Sequence, residues 1–148
     1  MKDFLTLEKQ LCFALYETNS LFSKLYNQAL QPFDITYPQY LLLLVLWEED
    51  GQTMKQIGAR LNLGTGTLTP MIKRMEKKGW IRKQKSLDDE RKVLIYLSEK
   101  GINNKADITA SIAEHIQACQ IDYEEYVSTM KALEQLRKKL SMHKSAIS

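Results

Sequence analysis

The stretch TMKQIGARLNLGTGTLTPMIKRMEKKGW, residues 53–80, carries the signals of two short helices joined by a tight turn. Thr53 is followed three residues later by Gln56, and this capping-box spacing predicts a helix over residues 54–62. The two glycines in LGTGT, residues 63–67, then predict a turn, because glycine adopts backbone conformations that end a helix and redirect the chain.

A second helix is predicted over residues 66–78. Thr65 is suited to its N-cap and Gly79 to the left-handed conformation that ends a helix, while Pro70 lies near the first turn, where a missing N–H is tolerated. Two helices joined in this way are typical of a helix-turn-helix. The apolar residues expected to face the core are Leu63, Leu68, Ile72 and Met75.

After the second helix, the spacing of the apolar residues changes from a helical pattern to one typical of strands. WIRKQK, residues 80–85, and KVLIYL, residues 92–97, have strand patterns, and the polar SLDDER between them, residues 86–91, predicts a hairpin tip. A hairpin directly after a helix-turn-helix gives the order of elements of a winged helix-turn-helix. We place this DNA-binding part at residues 36–101.

Helical patterns on both sides make the chain mainly α, with the hairpin as a small β wing. Ser98 and Asp122 are suited to capping two helices that follow the hairpin. The length fits one domain over residues 1–148, and the tail SMHKSAIS, residues 141–148, is predicted to fray. The further predicted helices cover residues 4–29, 37–49, 99–119 and 123–140.

Positive charge is concentrated in the middle of the chain. Residues 53–92 hold 11 Lys/Arg and four Asp/Glu, although the whole chain has a net charge of only +3. Such a segment predicts a polyanionic partner, most often nucleic acid. The longest apolar run, residues 40–47, is too short to cross a bilayer, and residues 1–10 lack a signal-peptide pattern. We therefore expect a cytoplasmic protein that binds double-stranded DNA and no membrane.

The candidate DNA contacts follow from the geometry of a helix-turn-helix, whose second helix lies in the major groove with its N-terminal end at the base edges. Threonine hydroxyls and methyls contact bases there, although plain helix capping accounts equally well for Thr65. Arg91 beside the acidic hairpin tip suits the minor groove, with a neighbouring carboxylate orienting its guanidinium. The predicted DNA-binding residues are Thr65, Gly66, Thr67, Thr69, Pro70, Lys73, Arg74, Lys77, Lys85, Asp89 and Arg91.

Several blocks of the chain match a known pattern: QLCF at 10–13, ITYPQY at 35–40, GTLTPM at 66–71, KRME at 73–76 and DER at 89–91. They resemble the MarR family of regulators, and within it the OhrR-type repressors that sense organic hydroperoxides. The resemblance covers about residues 5–140. It implies a homodimer, joined through helices in residues 1–33 and 102–148, that binds a pseudo-palindromic operator when reduced. The turn departs from the family at Leu63-Gly64-Thr65-Gly66, and this bears on the preferred operator.

Cys12 is the first of two cysteines and lies in an apolar helical stripe, where a cysteine is usually inert. A reactive cysteine must form a thiolate, and a helix beginning at Phe4 would put Cys12 beyond the reach of the positive helix N-terminus. The remaining way to stabilise a thiolate at Cys12 is hydrogen bonding from tyrosine hydroxyls. Tyr26 lies about 20 Å further along the helix, so it meets such a thiol only where two copies cross. The resemblance implies that organic hydroperoxide oxidises Cys12, with the candidate thiolate-stabilising residues Tyr16, Tyr26 and Tyr37.

Cys119 lies near the end of a predicted helix, where the partial negative charge disfavours a thiolate. Within the resemblance, a second cysteine in this region marks a two-cysteine type whose disulfide joins opposite subunits. This implies a redox-sensing pair of Cys12 and Cys119 of the partner subunit. The alternative is a small packing residue in the seam that contains Ile108, Ile112 and Ile116.

Three other functions agree with parts of the sequence. A thiol peroxidase would also place a cysteine near peroxide, but it leaves the basic segment unexplained. A MarR-type repressor that binds a phenolic ligand would keep the fold and make Cys12 inert, and a non-specific architectural DNA protein would use the basic charge alone. His115 and His143 form no metal constellation with either cysteine, so we expect no metal, no cofactor and no enzymatic activity.

Overall fold

The computed structural model describes residues 4–143, which fold mostly as α-helices with a three-stranded antiparallel sheet. The chain divides after Ile112 into two compact units. The predicted frayed tail lies outside the described residues from position 144 onward. The helices are α1 (Leu11–Leu30), α2 (Tyr37–Glu48), α3 (Met54–Leu61), α4 (Thr65–Lys77), α5 (Glu99–Asn103), α6 (Lys105–Ala118) and α7 (Tyr123–Met142). The strands are β1 (Gln52–Thr53), β2 (Ile81–Lys85) and β3 (Val93–Leu97).

The start of α1 differs from the prediction. The predicted helix began at Phe4, whereas α1 begins at Leu11 and follows a short 3-10 turn, Leu7–Lys9. Gln10 separates the two with an extended backbone (φ −81°, ψ 119°), and its side-chain amide donates a hydrogen bond to the Phe4 carbonyl. The prediction was therefore wrong by about two helical turns, and Cys12 becomes the second residue of α1.

The sheet contains a strand that the sequence did not reveal. The predicted two-stranded hairpin is present as β2 and β3, but β1 pairs with β3 on its other edge, with Gln52 opposite Ile95. Gln52 is buried, and its side-chain nitrogen donates a hydrogen bond to the Val45 carbonyl at 3.1 Å. A two-residue strand of polar residues carries no alternating pattern, so only the pairing defines it.

The helix predicted over residues 99–119 is divided at Asn104. Asn104 lies between the end of α5 and the start of α6, and its side-chain nitrogen donates a hydrogen bond to the Lys100 carbonyl, one turn back, at 2.8 Å. The predicted caps are confirmed, since Ser98 Oγ accepts from the Gly101 N–H at 3.2 Å and Asp122 Oδ1 accepts from the Glu125 N–H at 2.8 Å.

The core of the first unit lies between α2, α3, α4 and the sheet. Burial of aliphatic and aromatic side chains in this core is the main source of stability for such a unit. Trp47 Nε1 also donates to the Gly101 carbonyl at 2.9 Å, which joins α2 to α5. The largest fully buried side chains are Trp80, Leu30, Leu42, Leu43, Leu46, Ile57, Leu68, Ile72, Met75, Ile95 and Ile108.

In the second unit, α6 ends in a corner that leads into α7. Gln120 in this corner has φ +59°, a left-handed conformation that is unusual for a side chain of its type. None of the residues of α7 is buried within the chain. Among the described residues, no helix combines the length and the apolar character that crossing a membrane requires. The exposed large apolar residues of α7 are Tyr123, Tyr126, Val127, Met130, Leu140 and Met142.

Candidate DNA-binding surface and thiol site

The first helix of the turn, α3, has the predicted capping box. Thr53 Oγ1 accepts from the Gln56 N–H at 3.2 Å, and Gln56 Oε1 accepts from the Thr53 N–H at 2.9 Å. Asn62 ends the helix in the left-handed conformation, with φ 55°. The chain then folds back so closely that a Cβ at Gly58 would lie 2.8 Å from the Leu63 carbonyl oxygen. A glycine is therefore required at position 58 for the turn to close.

The second helix, α4, begins one residue earlier than predicted. Gly64 is the N-cap and makes no side-chain cap bond, so the prediction of Thr65 as N-cap was wrong, and Thr65 is the first helical residue. Pro70 is inside the helix rather than near its first turn. Gly79 has the expected positive φ of 83°. The predicted inward-facing residues Leu68, Ile72 and Met75 are all buried, whereas Leu63 in the turn is only half-buried.

Most of the predicted DNA-binding residues of α4 are exposed, and several lie on the face opposite the buried stripe. Thr69 differs, because it is half-buried and its hydroxyl donates a hydrogen bond to Met54 Sδ at 3.4 Å. The N-terminal part of the helix is thus small and accessible, and its C-terminal part is basic. The exposed residues are Thr65, Gly66, Thr67, Pro70, Lys73, Arg74 and Lys77.

The wing places Lys85 at the exposed end of β2 and Arg91 at the exposed tip. Asp89 is half-buried, and its Oδ1 accepts from the backbone N–H of Arg91 at 3.0 Å. This bond does not involve the Arg91 guanidinium, whose orientation by a carboxylate of the tip stays a prediction. Asp89 instead fixes the backbone at the tip, a short-range bond that is typical of Asp in turns.

An oriented arginine does occur on the wing, at a position that sequence reasoning missed. The Arg82 guanidinium lies 4.7 Å from the centre of the Tyr96 ring, and its Nη1 donates to Gln84 Oε1 at 2.7 Å. Arg82 and Tyr96 are cross-strand partners. Pairing the two predicted strands in register would have placed these two residues side by side.

Cys12 is exposed in the first turn of α1. The sequence prediction placed it too deep in its helix to use the N-terminus, and the later start of α1 overturns this. Backbone N–H groups in the first turn have no partner within the helix and carry partial positive charge. They favour an anion close to the position of this thiol.

The three candidate tyrosines do not form one group within a single chain. Tyr26 and Tyr37 are in contact, with ring centres 5.1 Å apart, whereas Tyr16 is 71% exposed and stacks on Phe13 at 6.5 Å. Tyr40 was missed as a site residue, although it is in the ITYPQY block, and its ring lies 5.9 Å from that of Tyr26. The spacing of three residues from Tyr37 along α2 could have indicated it.

Cys119 is exposed and directly follows α6. Its Sγ donates a hydrogen bond to the His115 carbonyl at 3.5 Å, one helical turn back. Within residues 4–143, no three His, Cys, Asp or Glu side chains lie close enough together to hold a metal ion.

The helix pair, the basic second helix and the three-stranded wing define the protein as a winged helix-turn-helix DNA-binding protein. Residues 24–108 match the family of transcriptional regulators SarA/Rot. The chain belongs to this family of MarR-type regulators, as the sequence resemblance predicted.

Individual relatives agree with this assignment. The chain is 52% identical over 99 residues to the organic hydroperoxide resistance transcriptional regulator of Bacillus subtilis, covering 67% of each chain. It is 50% identical over 96 residues to the regulator TtmR of Methylorubrum extorquens, covering 65% of this chain but only 49% of that relative. The chain thus spans about half the length of TtmR. These relatives are transcriptional regulators, so the protein is one too, and the thiol peroxidase alternative is set aside.

Solved structures of AbfR of Staphylococcus epidermidis share the fold. Reduced AbfR bound to DNA is 39% identical, with a TM-score of 0.77, and the match covers 90% of this chain and 94% of AbfR. A disulfide form of AbfR gives a TM-score of 0.67 at the same identity, over 92% of this chain and 90% of that one.

Proposed function

We propose that this protein is a redox-sensing repressor that binds operator DNA as a homodimer when reduced and leaves it when organic hydroperoxide oxidises Cys12. The observation that carries the proposal is the place of this thiol, exposed in the first turn of α1. The 52% identity to an organic hydroperoxide regulator supports the choice of oxidant. The protein acts in the cytoplasm, where bacterial operators are.

The reaction begins with attack of the Cys12 thiolate on one peroxide oxygen. The O–O bond breaks, the sulfur is oxidised to a sulfenic acid, and the organic group leaves as an alkoxide that takes a proton from water. The free N–H groups of the first turn of α1 favour the anionic reactant. In a second step the thiol of Cys119 of the partner subunit attacks the sulfenic sulfur, so that a disulfide forms and water leaves. The disulfide form of AbfR supports this second step.

The dimer is supported by apolar side chains that the single chain leaves uncovered. Leu11, Leu15 and Leu21 of α1 are 58%, 37% and 65% exposed, and α7 exposes its own apolar residues. Monomeric proteins seldom leave long helices with such faces in water, and obligate dimers bury them between subunits. Two α4 helices related by a two-fold axis then fit two half-sites about 10 bp apart, which makes the operator pseudo-palindromic.

The dimer also gives the tyrosines a role. The contacting pair of Tyr26 and Tyr37 cannot meet Cys12 along the same helix, because Tyr26 is about 20 Å further along the axis. In the dimer, their hydroxyls donate hydrogen bonds to the thiolate of Cys12 of the partner subunit. Replacement of either hydroxyl by hydrogen, as in Tyr37→Phe, then slows oxidation without affecting DNA binding by the reduced protein.

The test uses a DNA duplex selected by the reduced protein from a random pool, with binding measured by fluorescence anisotropy. Wild-type protein releases this duplex after treatment with cumene hydroperoxide, and Cys12→Ser binds but does not respond. On a non-reducing gel, oxidised wild type gives a dimer-sized band that dithiothreitol removes and that Cys119→Ser lacks. Release of Cys12→Ser by the peroxide would place the trigger elsewhere. Release of every variant by a phenolic acid would favour the ligand-binding alternative.

A further inference from the structure

A methionine at the start of α3 touches the helix that carries the DNA contacts. Met54 is the first residue of α3, and its Sδ accepts the hydrogen bond from Thr69 Oγ1 of α4 at 3.4 Å. Met54 is half-buried, and it lines an open cavity of about 680 Å³ that extends between the two helices to Leu63 and Thr65. The cavity therefore gives a small oxidant a route to the Met54 side chain.

The surroundings distinguish Met54 from the other methionines in residues 4–143. Met71 and Met75 are 5% and 0% exposed in the core, where an oxidant meets them only after unfolding. Met130 and Met142 are exposed, but they belong to α7 and lie outside the winged helix-turn-helix. Among the described methionines, Met54 alone is accessible and also bonded to a residue of α4.

The present contact leaves Thr69 available to DNA. A thioether sulfur is a weak hydrogen-bond acceptor, so the Thr69 hydroxyl can exchange it for a phosphate or base acceptor at little cost. Oxidation converts the sulfur into a polar sulfoxide, whose oxygen is a much stronger acceptor. The oxygen also needs space at a contact where sulfur and hydroxyl already lie 3.4 Å apart. Both effects withdraw the Thr69 hydroxyl from a DNA acceptor.

We propose that Met54 is a second oxidation site, located inside the DNA-binding part, whose conversion to sulfoxide weakens DNA binding independently of both cysteines. The oxidants are two-electron oxygen donors. The sulfur loses two electrons and gains one oxygen atom, while a hydroperoxide leaves as the alcohol or hypochlorous acid leaves as chloride and a proton. The inference rests on the proposed function for one element, the contact of Thr69 with DNA.

The experiment uses the full-length Cys12→Ser/Cys119→Ser protein, so that no thiol reacts. It is treated with cumene hydroperoxide in one arm and hypochlorous acid in the other, and oxidation of Met54 is followed by mass spectrometry of its peptide. Anisotropy with the selected duplex then measures DNA affinity. Oxidation of Met54 is expected to weaken binding about tenfold, the effect of one lost hydrogen bond of ordinary strength. Methionine sulfoxide reductase restores the affinity.

Four variants in the same cysteine-free background make the result specific. Met54→Leu keeps the volume and loses the response, and the matched control Met142→Leu keeps the response because Met142 belongs to α7 and not to the winged helix-turn-helix. Met54→Gln, which carries a strong acceptor without any oxidant, binds DNA as weakly as the oxidised protein. Thr69→Val binds less tightly from the start, and Met54 oxidation weakens it further by less than twofold.

The outcomes separate this proposal from the redox role of Cys12. A response to hypochlorous acid alone supports the site and assigns its oxidant. Full DNA affinity with Met54 completely oxidised, or an unchanged response in Met54→Leu, would overturn the proposal. The untreated protein is a separate test, because failure of the wild type to select any duplex contradicts the proposed function and not the chemistry of Met54.

Discussion

The winged helix-turn-helix and the terminal helices α1 and α7 differ in how much of their apolar surface a single chain buries. The helix pair α3 and α4 and the sheet bury Ile57, Leu68, Ile72 and Ile95 to 1% exposure or less. By contrast, α7 buries none of its 20 residues, and α1 buries only Ala29 and Leu30 at its end. A single chain therefore buries the core of the DNA-binding part without help from a partner. The terminal helices have apolar faces that need another surface, which we propose a second subunit provides.

Charges introduced on the exposed apolar face of α7 should have the largest effect on the protein. Val127→Glu/Met130→Glu should produce monomers and reduce DNA affinity at least about 100-fold, because two linked half-sites bind far more tightly than one. Light scattering after size-exclusion chromatography and anisotropy measure the two effects. Lys131→Glu introduces a negative charge into the same helix by replacing a lysine rather than an apolar residue, and it should remain dimeric. A dimeric double variant would mean that α7 is not the interface.

Gly58 tests the winged helix-turn-helix, whose core is buried within one chain. Gly58→Ala forces a Cβ to 2.8 Å from the Leu63 carbonyl and should lower the free energy of unfolding by about 1–3 kcal/mol. Urea unfolding at one protein concentration measures this. Gly66→Ala is the control, since nothing lies within 4 Å of its added Cβ and alanine favours helix by up to about 1 kcal/mol. Equal destabilisation of both variants would contradict the steric argument.

Arg91 tests whether the wing takes part in binding. Arg91→Ala should weaken DNA binding at least about tenfold, because a hydrogen bond to a charged group contributes about 1.5–3 kcal/mol. Arg91→Lys keeps the charge but loses the planar group that fits a narrow minor groove, so it should recover only part of the affinity. Unchanged affinity in the alanine variant would leave α4 as the whole DNA-binding surface.

Lys73 should give the smallest effect, spread evenly over DNA sequences. It is exposed on α4, and Lys73→Ala should weaken binding a few-fold while lowering the salt dependence by a slope of about 1. Titrations at several salt concentrations measure that slope. Lys131→Ala removes the same charge from α7, which is not part of the winged helix-turn-helix, and should leave the slope unchanged. A change confined to one operator sequence would instead indicate a base contact for Lys73.

Much of the DNA-binding part could be predicted from sequence because its signals are local. The Thr53–Gln56 box, the Ser98 cap and the positive φ of Gly79 each depend on a few neighbouring residues, and all three are confirmed. The strand β1 could not be predicted, because two residues form it only by pairing with Leu94 and Ile95 some 40 positions later. Local patterns do not carry such information.

The thiol site shows the same limit more clearly. Nothing in the apolar spacing revealed that Gln10 would be extended and that α1 would begin at Leu11, and this single boundary changes the electrostatic surroundings of Cys12. Pairing of Tyr26 with Tyr37 depends on how α1 packs on α2, so the sequence identified both residues but not their contact. Which cysteine they face in a dimer depends on an interface that no single chain contains.

The left-handed residue next to Cys119 has a consequence for local unfolding. Gln120 holds φ +59°, a conformation that costs an ordinary side chain about 1–2 kcal/mol and that glycine adopts freely. Any opening of the corner between α6 and α7 recovers that energy, so the segment around Cys119 should be among the first to exchange its amide hydrogens with solvent. Gln120→Gly removes the strain, and slower exchange in that variant would show that the native residue keeps this corner ready to move.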